Sequence, residues 1–268
     1  MKKILTMLLV LSVILVPLSA FAEELVKLEN SDAVDLDDDG SLDSVSLSIV
    51  PDEEDETFGH YTLTVNGLSA EGDGISLTGE LYAGKLGYQG ELLLVPEYGM
   101  SDDDCCHAYL FDGDRLIFVG DIPTSPSSVE ISDNIITCSV RGKTLMTWFR
   151  PADYVLSFNY GSGRYPEIAP LIVEAPRASY PLGVTVTLKT EVSLKALPIP
   201  GAETVGTLAE GDTAVIASTD DANWIYLYPL SGEDEIRGGY VFIRDFDVFA
   251  DEGRIGSWDV FDGLLFAD

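Results

Sequence analysis

Nine residues, Asp35-Leu36-Asp37-Asp38-Asp39-Gly40-Ser41-Leu42-Asp43, gather oxygen donors into one short loop. Counted from Asp35, carboxylates stand at positions 1, 3, 5 and 9 and glycine at position 6. Calcium is a hard cation that takes roughly six to eight oxygen ligands, and an acidic loop of this spacing can wrap around it. Gly40 allows the sharp turn at positive φ, and the Ser41 carbonyl can then point inward. These four carboxylates, with Asp38 beside them, repel one another in so short a stretch unless something neutralises them. An EF-hand would need flanking helices and a glutamate at position 12. Position 12 is Ser46, inside a strand pattern, so the loop is not an EF-hand.

The second group with chemical potential is Cys105-Cys106-His107, which invites a cysteine-peptidase reading. Two features oppose it. Successive strand residues point to opposite faces, and a nucleophilic thiol needs a positive environment, whereas this one follows Asp102-Asp103-Asp104. A zinc hydrolase is also disfavoured, because His60 and His107 are the only histidines and neither belongs to an H-x-x-x-H pattern. No GxSxG elbow, P-loop or dinucleotide fingerprint occurs. Among 46 acidic residues no carboxylate pair can be singled out for glycoside cleavage. The balance is against an enzyme, and no catalytic residue is assigned.

Strand signals position these groups. Ser44 to Val50 and Tyr61 to Val65 alternate polar and apolar residues, and Asn66-Gly67 closes the second run with hairpin chemistry. Glu91 to Val95 is continuously apolar and reads as a central strand. Cys106–Phe111 with Leu116–Val119, and Ile135–Val140 with Thr144–Phe149, read as two further hairpins. No stretch keeps a helical period, so the chain is expected to be all-β.

Lys2 and Lys3, the apolar run Ile4 to Leu18 and Ala20-Phe21-Ala22 form a signal-peptide pattern over residues 1–22. Cleavage there removes two lysines and no acid. It leaves 13 basic against 46 acidic residues, a formal charge of −33. Such a field repels nucleic acid and anionic lipid and favours cations and basic partners. The expected location is secreted or cell-wall associated, with no stable membrane insertion after cleavage. Three cysteines leave at least one thiol unpaired, and Cys138 could pair with Cys105 or with Cys106. Pro166, Pro170, Pro176 and Pro181 mark a linker, giving a first domain at 23–160, a linker at 161–183, a second domain at 184–250 and an apolar tail at 251–268 that should dock.

Three resemblances add to this reading. The segment from Val34 to Val45 resembles the calcium loops of FG-GAP and integrin-type β-propeller repeats, departing at Asp38, where that family commonly has a small neutral residue. The resemblance implies Asp35, Asp37, Asp39 and Asp43 as side-chain ligands and Ser41 as a backbone ligand. With a single such loop, the first domain is expected to be a β-meander or sandwich and not a closed propeller. Residues 184–249 resemble a bacterial SH3-like domain, carried by Val192-Ser193-Leu194-Lys195-Ala196, Pro200-Gly201-Ala202, Val205 to Asp212, Trp224-Ile225-Tyr226-Leu227 and Gly239-Tyr240-Val241-Phe242. That resemblance implies a small barrel and a shallow groove lined by Tyr226, Tyr228 and Tyr240 for peptidoglycan peptide or a protein partner; the longer acidic loop at Leu230 to Arg237 departs from the family. Trp224 is assigned to the barrel core. The first domain also resembles the N-terminal half of secreted Firmicutes proteins of unknown role, through Tyr98 to Asp103, Tyr109 to Gly113, Val119 to Ile122 and Thr147 to Phe149.

The function expected from the sequence is therefore an exported, calcium-stabilised, non-enzymatic binding protein. The alternatives are a cell-wall hydrolase built on a thiol or carboxylates, and an acidic adhesin or inhibitor of a basic protein.

Overall fold

Period-two alternation and glycine-bearing turns fold the chain into antiparallel meanders. The computed structural model describes residues 25–29, 33–87, 89–100, 103–158, 170–230, 238–250 and 253–266. The expected signal peptide, residues 161–169 of the expected linker, the 231–237 loop, and Ser101 and Asp102 lie outside the described residues.

After β1 (Val26–Leu28), a first meander runs through β2 (Ala33–Val34), β3 (Asp43–Pro51), β4 (Phe58–Val65) and β5 (Leu68–Ile75). A second runs through β6 (Leu81–Lys85), β7 (Glu91–Glu97), β8 (Cys105–Phe111) and β9 (Leu116–Ile122), with β1 added beside β6. A third comprises β10 (Glu130–Ser132), β11 (Ile135–Arg141), β12 (Phe149–Phe158) and β13 (Pro170–Glu174). Asn66 and Gly67 both take positive φ, as a type I′ turn between β4 and β5 requires.

The middle sheet is buried on both faces. Leu92 and Leu94 of β7 and Cys106, Ala108 and Leu110 of β8 pack with Ile136, Cys138 and Tyr154 of the third sheet. Leu93, Val95, Tyr109 and Phe111 pack on the other side, against Leu47, Leu63 and Val65 of the first sheet. This double burial is why Glu91 to Val95 lacks polar alternation.

The second domain begins at β14 (Tyr180–Leu188). It continues through β15 (Val192–Lys195), β16 (Thr204–Leu208), β17 (Thr213–Thr219), β18 (Trp224–Pro229), β19 (Gly239–Arg244), β20 (Asp247–Ala250) and β21 (Gly253–Gly256), then helix α1 (Ser257–Val260) and β22 (Phe261–Asp262). These strands curl around one apolar core. The main path of the sheet runs open from β16 to β22, so the barrel expected here does not close. The apolar tail docks, with Val260 and Phe261 buried in that core and β22 paired to β14.

Two other expectations change. The stretch 161–183 is no linker throughout, since β13 completes the third sheet and Tyr180 already starts β14. Pro170 opens the edge strand β13, where a missing N–H costs little. The second strand of the third hairpin begins at Phe149, not at Thr144. Leu145 and Met146 instead plug the core of the second domain. Leu145 N–H donates to the Asp245 carbonyl at 2.7 Å, and its own carbonyl accepts from Ser257 Oγ at 2.8 Å.

A buried charge cluster joins the same parts. Arg150 of β12 donates from Nε to Asp221 Oδ2 at 2.6 Å and pairs with Glu174 of β13. Its guanidinium lies 4.7 Å from the centre of the Tyr180 ring. Asp221 Oδ1 also accepts from the Lys143 N–H at 2.7 Å and from Thr144 Oγ1 at 3.2 Å.

Candidate functional site

The acidic loop connects β2 to β3 and is shaped by its own carboxylates. Asp35 Oδ2 accepts from Gly40 N–H at 3.1 Å, Asp37 Oδ1 from Asp39 N–H at 3.2 Å, and Asp39 Oδ1 from Ser41 N–H at 2.6 Å. Gly40 has φ +85°, the left-handed turn expected of it. Oxygens of Asp35, Asp37 and Asp39 lie within 4.8 Å of one another. Each pair of like charges at that separation costs about 1 to 4 kcal/mol, depending on how much water intervenes. Asp35 Oδ1 is buried without a hydrogen-bond partner, an arrangement that is costly for an anion. These three carboxylates could hold a hard cation.

The other two residues assigned to the loop sit differently. Asp43 is buried, with Oδ2 accepting from Leu36 N–H at 2.7 Å and Oδ1 accepting from Asn66 Nδ2. It clamps the loop to the β4–β5 turn, although each carboxylate oxygen keeps a further lone pair. Ser41 is tied to Asp39 through its N–H. Asp38, the departure from the family pattern, takes φ +59° and pairs with Lys85 of β6.

The second candidate is an aromatic surface on β18 and β19. Alternation sends Ile225, Leu227, Val241 and Ile243 into the core. It sends Trp224, Tyr226, Tyr240 and Phe242 outward, each half-buried. Register pairs Trp224 with Phe242 and Tyr226 with Tyr240, and in both pairs the ring centres are 5.0 Å apart in edge-on geometry. Two clefts flank this ladder and share Trp224. One, of about 290 Å³, is lined by Val192, Lys195, Ile199, Trp224 and Phe242. The other, of about 400 Å³, is lined by Pro198, Asp220, Trp224, Tyr226 and Tyr240. Tyr226 and Tyr240 therefore line a groove, while Tyr228 lies outside both clefts, more than half exposed. Trp224, assigned to the core, is the wall common to both, and Phe242 was missed. The signal was present: in Trp-Ile-Tyr-Leu-Tyr the aliphatic set faces in and the aromatic set faces out.

The three thiols divide between the two faces of the middle sheet, and Cys105 shares its face with His107. Cys106 is in the core shared with Cys138, and Cys105 is on the opposite face. All three thiols are free. Burial pushes the Cys105 thiol up to about 12, with Asp121 and Glu97 adding to the shift, and burial pushes Cys106 up as well.

Comparison with protein-family models, with curated proteins and with solved structures finds no match to this chain.

Proposed function

We propose that this chain is an exported, non-enzymatic binding protein. Calcium on the Asp35–Asp37–Asp39 loop stabilises its first domain, and the aromatic face of β18 and β19 recognises cell-wall peptide. The observation that carries this reading is the outward ladder of Trp224, Phe242, Tyr226 and Tyr240. Large half-exposed rings on a rigid sheet offer contact area at low entropic cost, a common basis of recognition. The two clefts are near the lower end of small-ligand sites. Lys195 in one and Asp220 in the other suit a short peptide bearing both carboxyl and amino groups. Export and the SH3-like resemblance favour a wall ligand, and both rest on sequence motifs alone.

The test is co-sedimentation with purified peptidoglycan in calcium, comparing wild type with Trp224→Ala and Tyr240→Ala. Each variant should weaken pelleting about tenfold. A truncation at the domain boundary would mislead, because it strips the cover from Leu145 and Met146. If the intact protein stays in the supernatant, a protein partner replaces the wall as the ligand. Capture that then collapses at high salt would favour a basic protein, consistent with the formal charge of −33 after residues 1–22 are removed.

A further inference from the structure

Strands β7, β8 and β9 place four polar side chains together on one face of the middle sheet. Glu97 is in register with Cys105, and His107 with Asp121. Cys105 and His107 are two residues apart on β8, so all four side chains project toward the first sheet. His107 Nδ1 lies 2.8 Å from Asp121 Oδ1, and Nε2 lies 3.2 Å from Glu97 Oε2. The imidazole stacks on Tyr61 with ring centres 5.6 Å apart. The thiol of Cys105, a ring nitrogen of His107 and a carboxylate oxygen of Asp121 all lie within 4.8 Å of one another. On the facing strand, a Cβ at Gly74 would stand 2.9 Å from Glu97 Oε2 and 3.3 Å from His107 Nε2, so glycine keeps this space clear.

We propose that Cys105, His107 and Asp121 bind a borderline divalent transition metal of the zinc class, with Glu97 as a positioning residue. One thiolate, one imidazole and one carboxylate make a donor set that suits zinc or cobalt and not calcium, which takes oxygen ligands. This site is therefore chemically distinct from the acidic loop. Zinc holds sulfur at about 2.3 Å and nitrogen or oxygen at about 2.0–2.2 Å. Donor atoms within 4.8 Å of one another need only small side-chain movements to reach that. Nδ1 is the nitrogen facing Asp121, and Nε2–H donates to Glu97, the carboxylate–histidine arrangement that fixes a ligand tautomer. Among the described residues, the ion pairs of Glu97 and Asp121 are all to His107, so the cluster has excess negative charge. Asp121 is more than half exposed, which opens a route from solvent. The carboxylates of Asp121 and Glu97 beside His107 favour a cation, and the incoming metal displaces the thiol proton to solvent. With three protein ligands, a fourth position is left for water or an external group.

Cobalt(II) is the probe. The reduced, chelator-treated protein is titrated in excess calcium, which occupies carboxylate-only sites. The expected result is one tightly bound cobalt per chain, with a thiolate-to-cobalt charge-transfer band and the visible absorption of a four-coordinate ion, both lost on adding zinc. Cys105→Ser should abolish the charge-transfer band, Asp121→Asn should weaken binding about tenfold or more, and Cys138→Ala should change neither. Circular dichroism establishes that each variant is folded. Absence of the band in the wild type, or its persistence in folded Cys105→Ser, overturns the proposal.

Discussion

Asp221→Asn is the sharpest test of how the two domains are joined. Asp221 has φ +54°, which asparagine also tolerates, so the change removes charge without adding backbone strain. In the wild type, Asp221 accepts from Arg150 Nε at 2.6 Å, from Lys143 N–H and from Thr144 Oγ1. Both ionic side chains are almost fully buried, at 4% and 3% exposure. An amide presents its own donors toward at least one of these donors and leaves Arg150 with Glu174 as its remaining counter-charge. Removing one partner of a buried pair costs about 3–5 kcal/mol. For a chain of this size each kcal/mol moves the melting temperature by about 2–4 °C, so calorimetry should show a fall of about 6–20 °C. A change below about 2 °C would mean that water screens the cluster and that apolar contacts alone hold the junction.

Acid should loosen the same region. Burial alone would raise the Glu174 carboxyl, but hydrogen bonds from Arg150 outweigh it and hold it below its ordinary value of 4.5. The Arg177 hydrogen bond likewise holds Asp153 below 3.8. Both contributions are full above those ordinary values and drain away as pH falls through the lower folded ones, so urea midpoints should be flat from about pH 6 to 5 and decline below about pH 4.5; a decline beginning near neutrality would point to other groups. For the acidic loop, a dissociation constant of about 10⁻⁴–10⁻³ M makes about 10 mM calcium worth about 1.4–2.7 kcal/mol, a rise of about 3–10 °C. Asp37→Asn should remove most of that rise, and an unchanged melting temperature in wild type on adding calcium would refute the calcium reading.

The first two hairpins, the doubly buried central strand and the left-handed Gly40 were legible because each depends on local chemistry: period two, an unbroken apolar run, a glycine at a turn. What stayed hidden depends on contacts between distant segments. Leu145 and Met146 are apolar whether they extend a strand or plug a neighbouring core, and only the 142–148 loop's position beside β19 and α1 decides. Arg150, Glu174 and Asp221 come from two domains, with nothing in their spacing to link them. Glu97, Cys105, His107 and Asp121 meet only through the registers of β7–β8 and β8–β9. Pro170 looked like linker because its tolerance at an edge strand depends on which strand is the edge. Trp224 was placed inward because aromatic rings carry much of the burial in small domains, and only packing shows that the aliphatic set of β18 fills the core.

The junction also bears on recognition. Trp224 is three residues from Asp221, and the turn between them is pinned twice. Asp220 Oδ1 accepts from the N–H groups of Ala222, Asn223 and Trp224, and Asp221 is held by Arg150 of the first domain. The turn that carries the wall shared by the two clefts is therefore held both from within its own sheet and from the first domain. On the proposed cell-wall reading, Asp221→Asn, assayed well below its melting temperature, should weaken peptidoglycan capture by a factor of about 3–10, since a wall free to move must be ordered on binding. Glu174→Gln touches the same arginine but not the Asp220–Trp224 turn, so it should leave capture within about twofold of wild type. If folded Asp221→Asn captures as well as wild type while Trp224→Ala does not, the groove is preorganised within its own sheet, and the first domain contributes stability alone.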